Sequence, residues 1–422
     1  MLVLASGHAA GYVVFALLLP ILSRLYQPAD FGVLGIYTAA LGVLGLFATM
    51  RYDAAIPLPS RDETALGLVA VALGISVAFA LALGLAVLTV GAEPLSHFGM
   101  GLIRPYLAIL IANVFVMGCY QTLTFWAVRR NAFLPLARMK FTLTTVVPVS
   151  QVVAGGLVAG SLGLVLGQLL GYVAAVIAML VFLRIEWWRA RPWRATEARA
   201  AARGFLNFPF FALPAELALV LTTALPPVFL NAHYTPEVVG WFMLAWRAVA
   251  TPLTLLVVPV ARVYLAAAAE AVLAGPGSLE RLFLRTVLKL AVLGTPPVAA
   301  LGAVAPWLFV VVFGPRWVES GYYCRILCPM LLCHMISVSV RPTFDVLHKQ
   351  FIHVVASVVG VLLVTAGLVV PHFLHVSPMT AVGILSLCGS CGHVFALGLT
   401  WLVLRRFSRE AALGANLHRA RR

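Results

Sequence analysis

Long uncharged apolar runs, each closed by a short polar turn, follow one another along the whole chain. A helix needs about 20 apolar residues to cross a bilayer core. The runs that meet this lie at roughly Leu2–Leu25, Gly32–Met50, Thr64–Val90, Pro105–Val128, Phe141–Ala159, Leu162–Leu183, Phe205–Leu230, Val238–Val260, Leu282–Phe313, Tyr322–Val340, Phe351–Pro371 and Met379–Leu404. The turns carry helix punctuation. Between the first two runs, Pro28 suits a first helical turn and Asp30 favours the positive end of a new helix. After the second run Arg51 marks the interface, and Pro57 and Pro59 stop the helix. The pattern predicts an all-α polytopic membrane protein of about twelve transmembrane helices, in two six-helix lobes around a central cavity.

Composition agrees and narrows the class. The chain is 62% hydrophobic and only 10% charged, with a mean hydropathy of +1.02, whereas soluble domains carry about 25% charged residues. No large soluble domain fits. A net charge of +15 and a pI of 10.1 would suggest a nucleic-acid partner for a soluble protein, but here the basic residues follow the membrane pattern. Of the 29, 24 fall in alternate loops and the tail, leaving Arg24, Arg104, Arg316 and Arg325 near the other face and Arg247 in mid-helix. The positive-inside rule then places both termini in the cytoplasm and predicts no nucleic-acid partner. Met1 to Tyr26 lacks a basic leader region and is long enough to span, so it is read as the first helix.

Domain organisation follows from the longest basic segment. Residues 184–204 hold six arginines with Trp187, Trp188 and Trp193, an interfacial linker between an N-terminal lobe, 1–183, and a C-terminal lobe, 205–404, with a basic cytoplasmic tail at 405–422. A short repeat supports the division: Tyr26-Gln27-Pro28 with Gly32 recurs 208 residues on as Tyr234-Thr235-Pro236 with Gly240, each between the first and second helix of its half. Two halves of equal helix count and direction are parallel repeats, which in transporters enclose a central site.

Three stretches carry a family resemblance. They are the run from Arg24 to Gly32 (Arg-Leu-Tyr-Gln-Pro-Ala-Asp-Phe-Gly), the run from Arg51 to Pro59 (Arg-Tyr-Asp-Ala-Ala-Ile-Pro-Leu-Pro), and Phe313-Gly314-Pro315-Arg316-Trp317 leading to Gly321, Arg325 and Pro329. Each resembles the Wzx-like polysaccharide-unit flippases of the multidrug/oligosaccharidyl-lipid/polysaccharide (MOP) superfamily. Ser320 stands where alanine is commoner in that family. The resemblance implies a non-enzymatic transporter of the bacterial inner membrane. Its substrate would be an undecaprenyl-pyrophosphate-linked oligosaccharide, built into O-antigen, capsule or exopolysaccharide. The implied partners are that lipid-linked oligosaccharide, membrane lipids and other polysaccharide-assembly proteins, with no cofactor.

Charges inside the bilayer are the informative ones, because an unpaired one costs about 3 kcal/mol on insertion scales. Glu216 and Arg247 qualify. At about 1.5 Å per residue, Glu216 falls about 15 Å inside the seventh run and Arg247 about 12 Å from the outer edge of the eighth, at similar depth. Two readings stay open, a structural ion pair or cavity charges that handle substrate or protons. Arg24 follows Pro20, which kinks the first helix. It either snorkels to headgroups or turns inward to bind a lipid pyrophosphate, which the planar guanidinium fork suits. Arg51 and Arg325 are further members of that proposal. His8, Tyr12, Asn113, Gln121, Gln151, Gln168 and Asn207 either line a cavity or bond helix to helix.

Other chemistry is disfavoured. The six cysteines fall mostly within apolar runs and read as packing residues. Cys388, Cys391 and His393, with Cys324, Cys328, Cys333 and His334, lack an acidic partner for a metal site. None of the three lysines follows a glycine as a P-loop requires. An organic-cation antiporter would need an acidic cavity. A polymerase or glycosyltransferase would need a paired acid and base, yet Asp30, Glu93, Glu237 and Glu319 are scattered singly on outer turns.

Overall fold

The computed structural model describes residues 2–158, 160–182, 195–275, 277–347 and 349–420. Among these no strand forms, and twelve long helices follow in order: α1 (Leu2–Leu25), α2 (Pro28–Thr49), α3 (Asp62–Val90), α4 (Leu107–Arg129), α5 (Phe133–Leu157), α6 (Leu162–Phe182), α7 (Leu213–His233), α8 (Pro236–Leu273), α9 (Ser278–Phe313), α10 (Val318–Val340), α11 (Gln350–Leu374) and α12 (Pro378–Ala420). Nine apolar stretches among them are long enough to cross a membrane. Leu81, Leu88, Leu157, Leu293 and Phe373 stand exposed, a surface that only hydrocarbon solvates well. The chain is an all-helical multi-pass membrane protein.

Several helices outrun the apolar runs that announced them. α5 was expected from Phe141 and starts at Phe133; α8 was expected to end near Val260 and continues to Leu273; α12 was expected to end near Leu404 and continues to Ala420. Hydropathy finds the oily part of a helix, while alanine-rich flanks such as Ala266 to Ala269 extend the hydrogen-bond ladder beyond it. Of the linker expected over 184–204, residues 184–194 with Trp187, Trp188 and Trp193 lie outside the described residues. Its last part, Ala195–Gly204, is an amphipathic helix. Ala198 and Ala201 of that helix are buried, with Ala198 against Gly67 of α3, and the Tyr52 hydroxyl donates to the Ala202 carbonyl at 3.1 Å.

The chain forms two compact units: Met1–Leu244 with Val312–Arg316, and Ala245–Val311 with Trp317–Arg422. In the first, α5 packs along α1 and α6, and α2 lies against α4 and α7. One apolar cluster there gathers Tyr52, Ile56, Leu68, Trp126, Met139 and Ala201. In the same unit the buried Ser76 hydroxyl donates to the Ala48 carbonyl at 2.7 Å, tying α3 to α2. In the second unit α12 packs on α10 and α11. One apolar cluster there gathers Tyr264, Leu279, Phe283, Val340 and Leu404, and the Tyr264 and Thr343 hydroxyls are bonded at 2.7 Å.

Each end of α2 is built by its own residues. At the start, Pro28 occupies the first turn and Asp30 Oδ2 accepts the Gln27 N–H at 2.9 Å. At the far end Met50 and Arg51 both take the left-handed conformation, with φ of 46° and 62°, which few residues other than glycine adopt readily. Those two residues turn the chain out of the helix and into the 3-10 turn Asp53–Ala55.

Candidate functional site at the basic end of α2

Beyond that left-handed turn the Arg51 side chain lies between two carboxylates. Its Nη1 is 3.8 Å from Asp53 Oδ2 and its Nη2 is 4.0 Å from Glu216 Oε2. The guanidinium carbon stands 5.9 Å from the centre of the Phe125 ring, within cation–π range. Both carboxylate distances exceed a hydrogen bond, and the buried Nε has no acceptor. A guanidinium has five N–H donors, and among the described residues Arg51 uses none of them. The side chain is only 19% exposed.

Asp53 is fully buried and receives the Thr49 hydroxyl on Oδ1 at 2.8 Å, while Oδ2 makes no hydrogen bond. Burial pushes its carboxyl above the ordinary value, against the opposing pull of Arg51 and Thr49. Glu216 comes from the first turn of α7, just after the π-helical turn Phe208–Ala212. Pro209 within that turn and Pro214 just after it withhold backbone donors. α7 lies along α2, which brings Glu216 to Arg51.

The other sequence candidates have separate surroundings. Arg24 is exposed at the end of α1 and forms no ion pair among the described residues. Its neighbour Ser23 is buried and donates to the carbonyls of Pro20 at 2.8 Å and Phe313 at 3.1 Å. Arg247, half-buried on α8 within the second unit, has no hydrogen bond or ion pair there among the described residues. Arg325 donates from Nε to the Gly302 carbonyl and from Nη2 to the Ala303 carbonyl, both at 2.8 Å, and lies 5.8 Å from the Tyr322 ring centre. Pro306 explains the first of these: lacking an N–H, it leaves the Gly302 carbonyl four residues back without its helical donor. Arg325 thus supplies the donor that Pro306 withholds from α9.

The polar side chains divide in the same way. Gln151 is buried and donates to the Leu164 carbonyl at 2.9 Å, joining α5 to α6. Asn113 donates to the Tyr37 hydroxyl at 3.1 Å while its Oδ1 stays without a partner, and Tyr120 meets Tyr172 edge-on at 5.4 Å. The His8 side chain lies outside the described residues. His334 and His393 meet at 5.0 Å between ring centres, and among the described residues no group of three or more His, Cys, Asp or Glu could hold a metal.

Sequence reasoning singled out Arg51 and Glu216 for separate reasons and missed Asp53, Thr49 and Phe125. The signal for Asp53 was present in the Arg51-Tyr52-Asp53 run, where an acid two residues from an interfacial arginine points back to it only if the intervening turn is left-handed.

A family model described as "Polysaccharide biosynthesis protein" matches residues 21–321. No curated protein is significantly similar to the chain in sequence. Among solved structures, one described as lipid II flippase MurJ in an inward closed conformation is similar with a TM-score of 0.73 at 12% identity, covering 97% of this chain and 91% of that one. An inward-facing multidrug resistance MATE family transporter of the MOP superfamily gives a TM-score of 0.62 at 14% identity over 97% and 96% of the two chains. A MOP superfamily transporter from Pyrococcus furiosus, described as having a binding pocket of reverse polarity, gives 0.51 at 15% identity over 97% and 96%. The fold is that of these transporters.

Proposed function

We propose, from the premise that the chain belongs to the polysaccharide biosynthesis protein family, that it is a flippase for undecaprenyl-pyrophosphate-linked oligosaccharide units. It moves them across the bacterial inner membrane for O-antigen, capsule or exopolysaccharide assembly. The arginine-rich face is then cytoplasmic, with both termini on that side.

One observation carries the reading: Arg51 is held against α7 with its N–H donors unused between two carboxylates. A phosphate oxygen offers what the carboxylates do not, contact at hydrogen-bond distance, and each charge-assisted bond contributes about 1.5–3 kcal/mol. The exchange has a direction. A pyrophosphate arriving at Arg51 takes the place of Glu216, and the carboxylate moves away on a helix start that the π turn and two prolines make easy to bend. Asp53 stays behind, and its raised pKa lets it take a proton and so reduce its repulsion of the phosphate. Arg24, Arg247 and Arg325 are proposed as further cations for the phosphates, although Arg325 already spends two donors on α9. The prenyl tail remains in lipid, no covalent step occurs, and the cavity opens alternately to the two faces.

The test is complementation of a flippase-deleted strain, scoring surface glycan against the amount of inserted protein. Wild type restores glycan. Arg51→Ala and Arg247→Ala, present at wild-type levels, lower it at least tenfold. Full glycan from both variants removes the phosphate-binding reading, and none from wild type removes the flippase reading itself.

A further inference from the structure

The repeated Tyr-x-Pro-x-x-x-Gly motif closes on itself. A methyl group built on Gly240 of α8 would overlap the carbonyl oxygen of Pro28 at the start of α2, and one built on Gly32 of α2 would overlap the carbonyl oxygen of Pro236 at the start of α8. The first copy's proline thus meets the second copy's glycine, and the second copy's proline meets the first copy's glycine. This is the reciprocal pattern of a two-fold contact. Neither glycine has a positive φ, so the site needs glycine for space alone: only a Cα–H lets the two backbones touch.

The contact sits on the face opposite the arginine-rich one, and its neighbours tie the same region. Trp241 Nε1 donates to the Arg316 carbonyl at 3.1 Å, Ser23 Oγ donates to the Phe313 carbonyl at 3.1 Å, and Phe31, Val238 and Val239 are buried beside it. The head of α8, up to Leu244, belongs to the same compact unit as α2, and the rest of α8 from Ala245 belongs to the other. Opposed Cα–H and C=O groups attract only weakly, and among the described residues no salt bridge spans the two glycines. Such a seam closes dry and separates without stranding a charge.

We infer that the Pro28–Gly240 and Pro236–Gly32 contacts are the closing seam of a gate on the outer face, with Gly32 and Gly240 as the residues that let it shut. The inference rests on the transport reading, because a gate presupposes a path. It adds that one motif used twice forms both halves of the seal, and that the seal is made of backbone.

The first test needs no substrate. With the six native cysteines changed to serine, a reporter Thr38→Cys on α2 is labelled in whole cells with a membrane-impermeant maleimide. Gly240→Ala and Gly32→Ala are expected to raise labelling at least threefold. Gly74→Ala on α3, where an added methyl meets nothing within 4 Å, should leave it unchanged. Parental labelling in both seam variants at parental protein level overturns the inference. A second measurement leaves the glycines in place. Ala29→Cys and Glu237→Cys, next to the two prolines, are joined by a short reducible thiol cross-linker in the complementing strain. Linking should stop glycan export and reduction should restore it, whereas export that continues through the linked protein overturns the gate and leaves the flippase reading standing. If the unlinked protein never supports export, the flippase reading fails, and the labelling arm still decides the gate.

Discussion

The two ends of α2 are held in opposite ways. At its start the helix is held by backbone on backbone, with Gly32 against Pro236 and Gly240 against Pro28 and no side chain between them. At its other end it is held by charge, with Arg51 between Asp53 and Glu216 at distances too long for hydrogen bonds. One contact is steric, so it answers to volume and ignores pH and salt. The other is electrostatic and partly desolvated, so it answers to protons, ions and competing anions. On the proposed flippase reading, the charged contact would lie where a phosphorylated headgroup is collected and the neutral one where it is released.

The largest expected effect tests the charged end. Arg51→Ala leaves Asp53 buried without its cation, and losing one partner of a buried pair costs about 3 kcal/mol. The purified protein should melt lower at neutral pH and recover part of the loss in mild acid, where Asp53 takes up a proton. Equal melting of variant and wild type at both pH values would show that the pair carries no weight.

Next comes the neutral end, where Gly240→Ala forces a methyl onto a carbonyl oxygen, an overpacking cost of about 1–3 kcal/mol. The loss should be the same across pH and salt. A loss that disappears in high salt would mean the two ends are not different in kind.

A smaller effect follows from Asp53 alone. Its carboxyl is pushed up by burial, so the fold disfavours its charged form more than water does. Its contribution to stability is fully present below the ordinary carboxylate value and is lost as pH rises through the raised one. Asp53→Asn should flatten that part of the melting-temperature profile, and an unchanged slope would mean that another group sets it.

The smallest effect is at the same face but on the surface. Asp62 pairs with Arg129 and with Arg130 at 3.2 Å while its side chain is 56% exposed. Such a pair contributes about 0–1 kcal/mol, and salt screens it. Asp62→Asn should therefore shift melting slightly in low salt and not at all in high salt. A large shift would move this pair into the same class as Arg51.

Much of this protein could be read from its sequence because the bilayer is a strict solvent. Each crossing must bury its own backbone hydrogen bonds and show apolar side chains, so the long helices, the all-helical class and the family pattern at Arg24 to Gly32 and Arg51 to Pro59 stood in local composition and order. Even the Tyr-x-Pro-x-x-x-Gly repeat was visible as text. What the repeat does was not, because the meeting of Gly32 with Pro236 joins residues 204 apart in the chain. Likewise Glu216 stood out in the sequence as an acid within an apolar run, but its neighbour did not: that Arg51 faces it depends on two left-handed residues after α2 and on a π turn before α7. The helices themselves were a matter of solvent and sequence. Which charge meets which, and where two backbones touch, was decided only when the helices packed, because those contacts arise from several weak choices of angle and register that no single stretch contains.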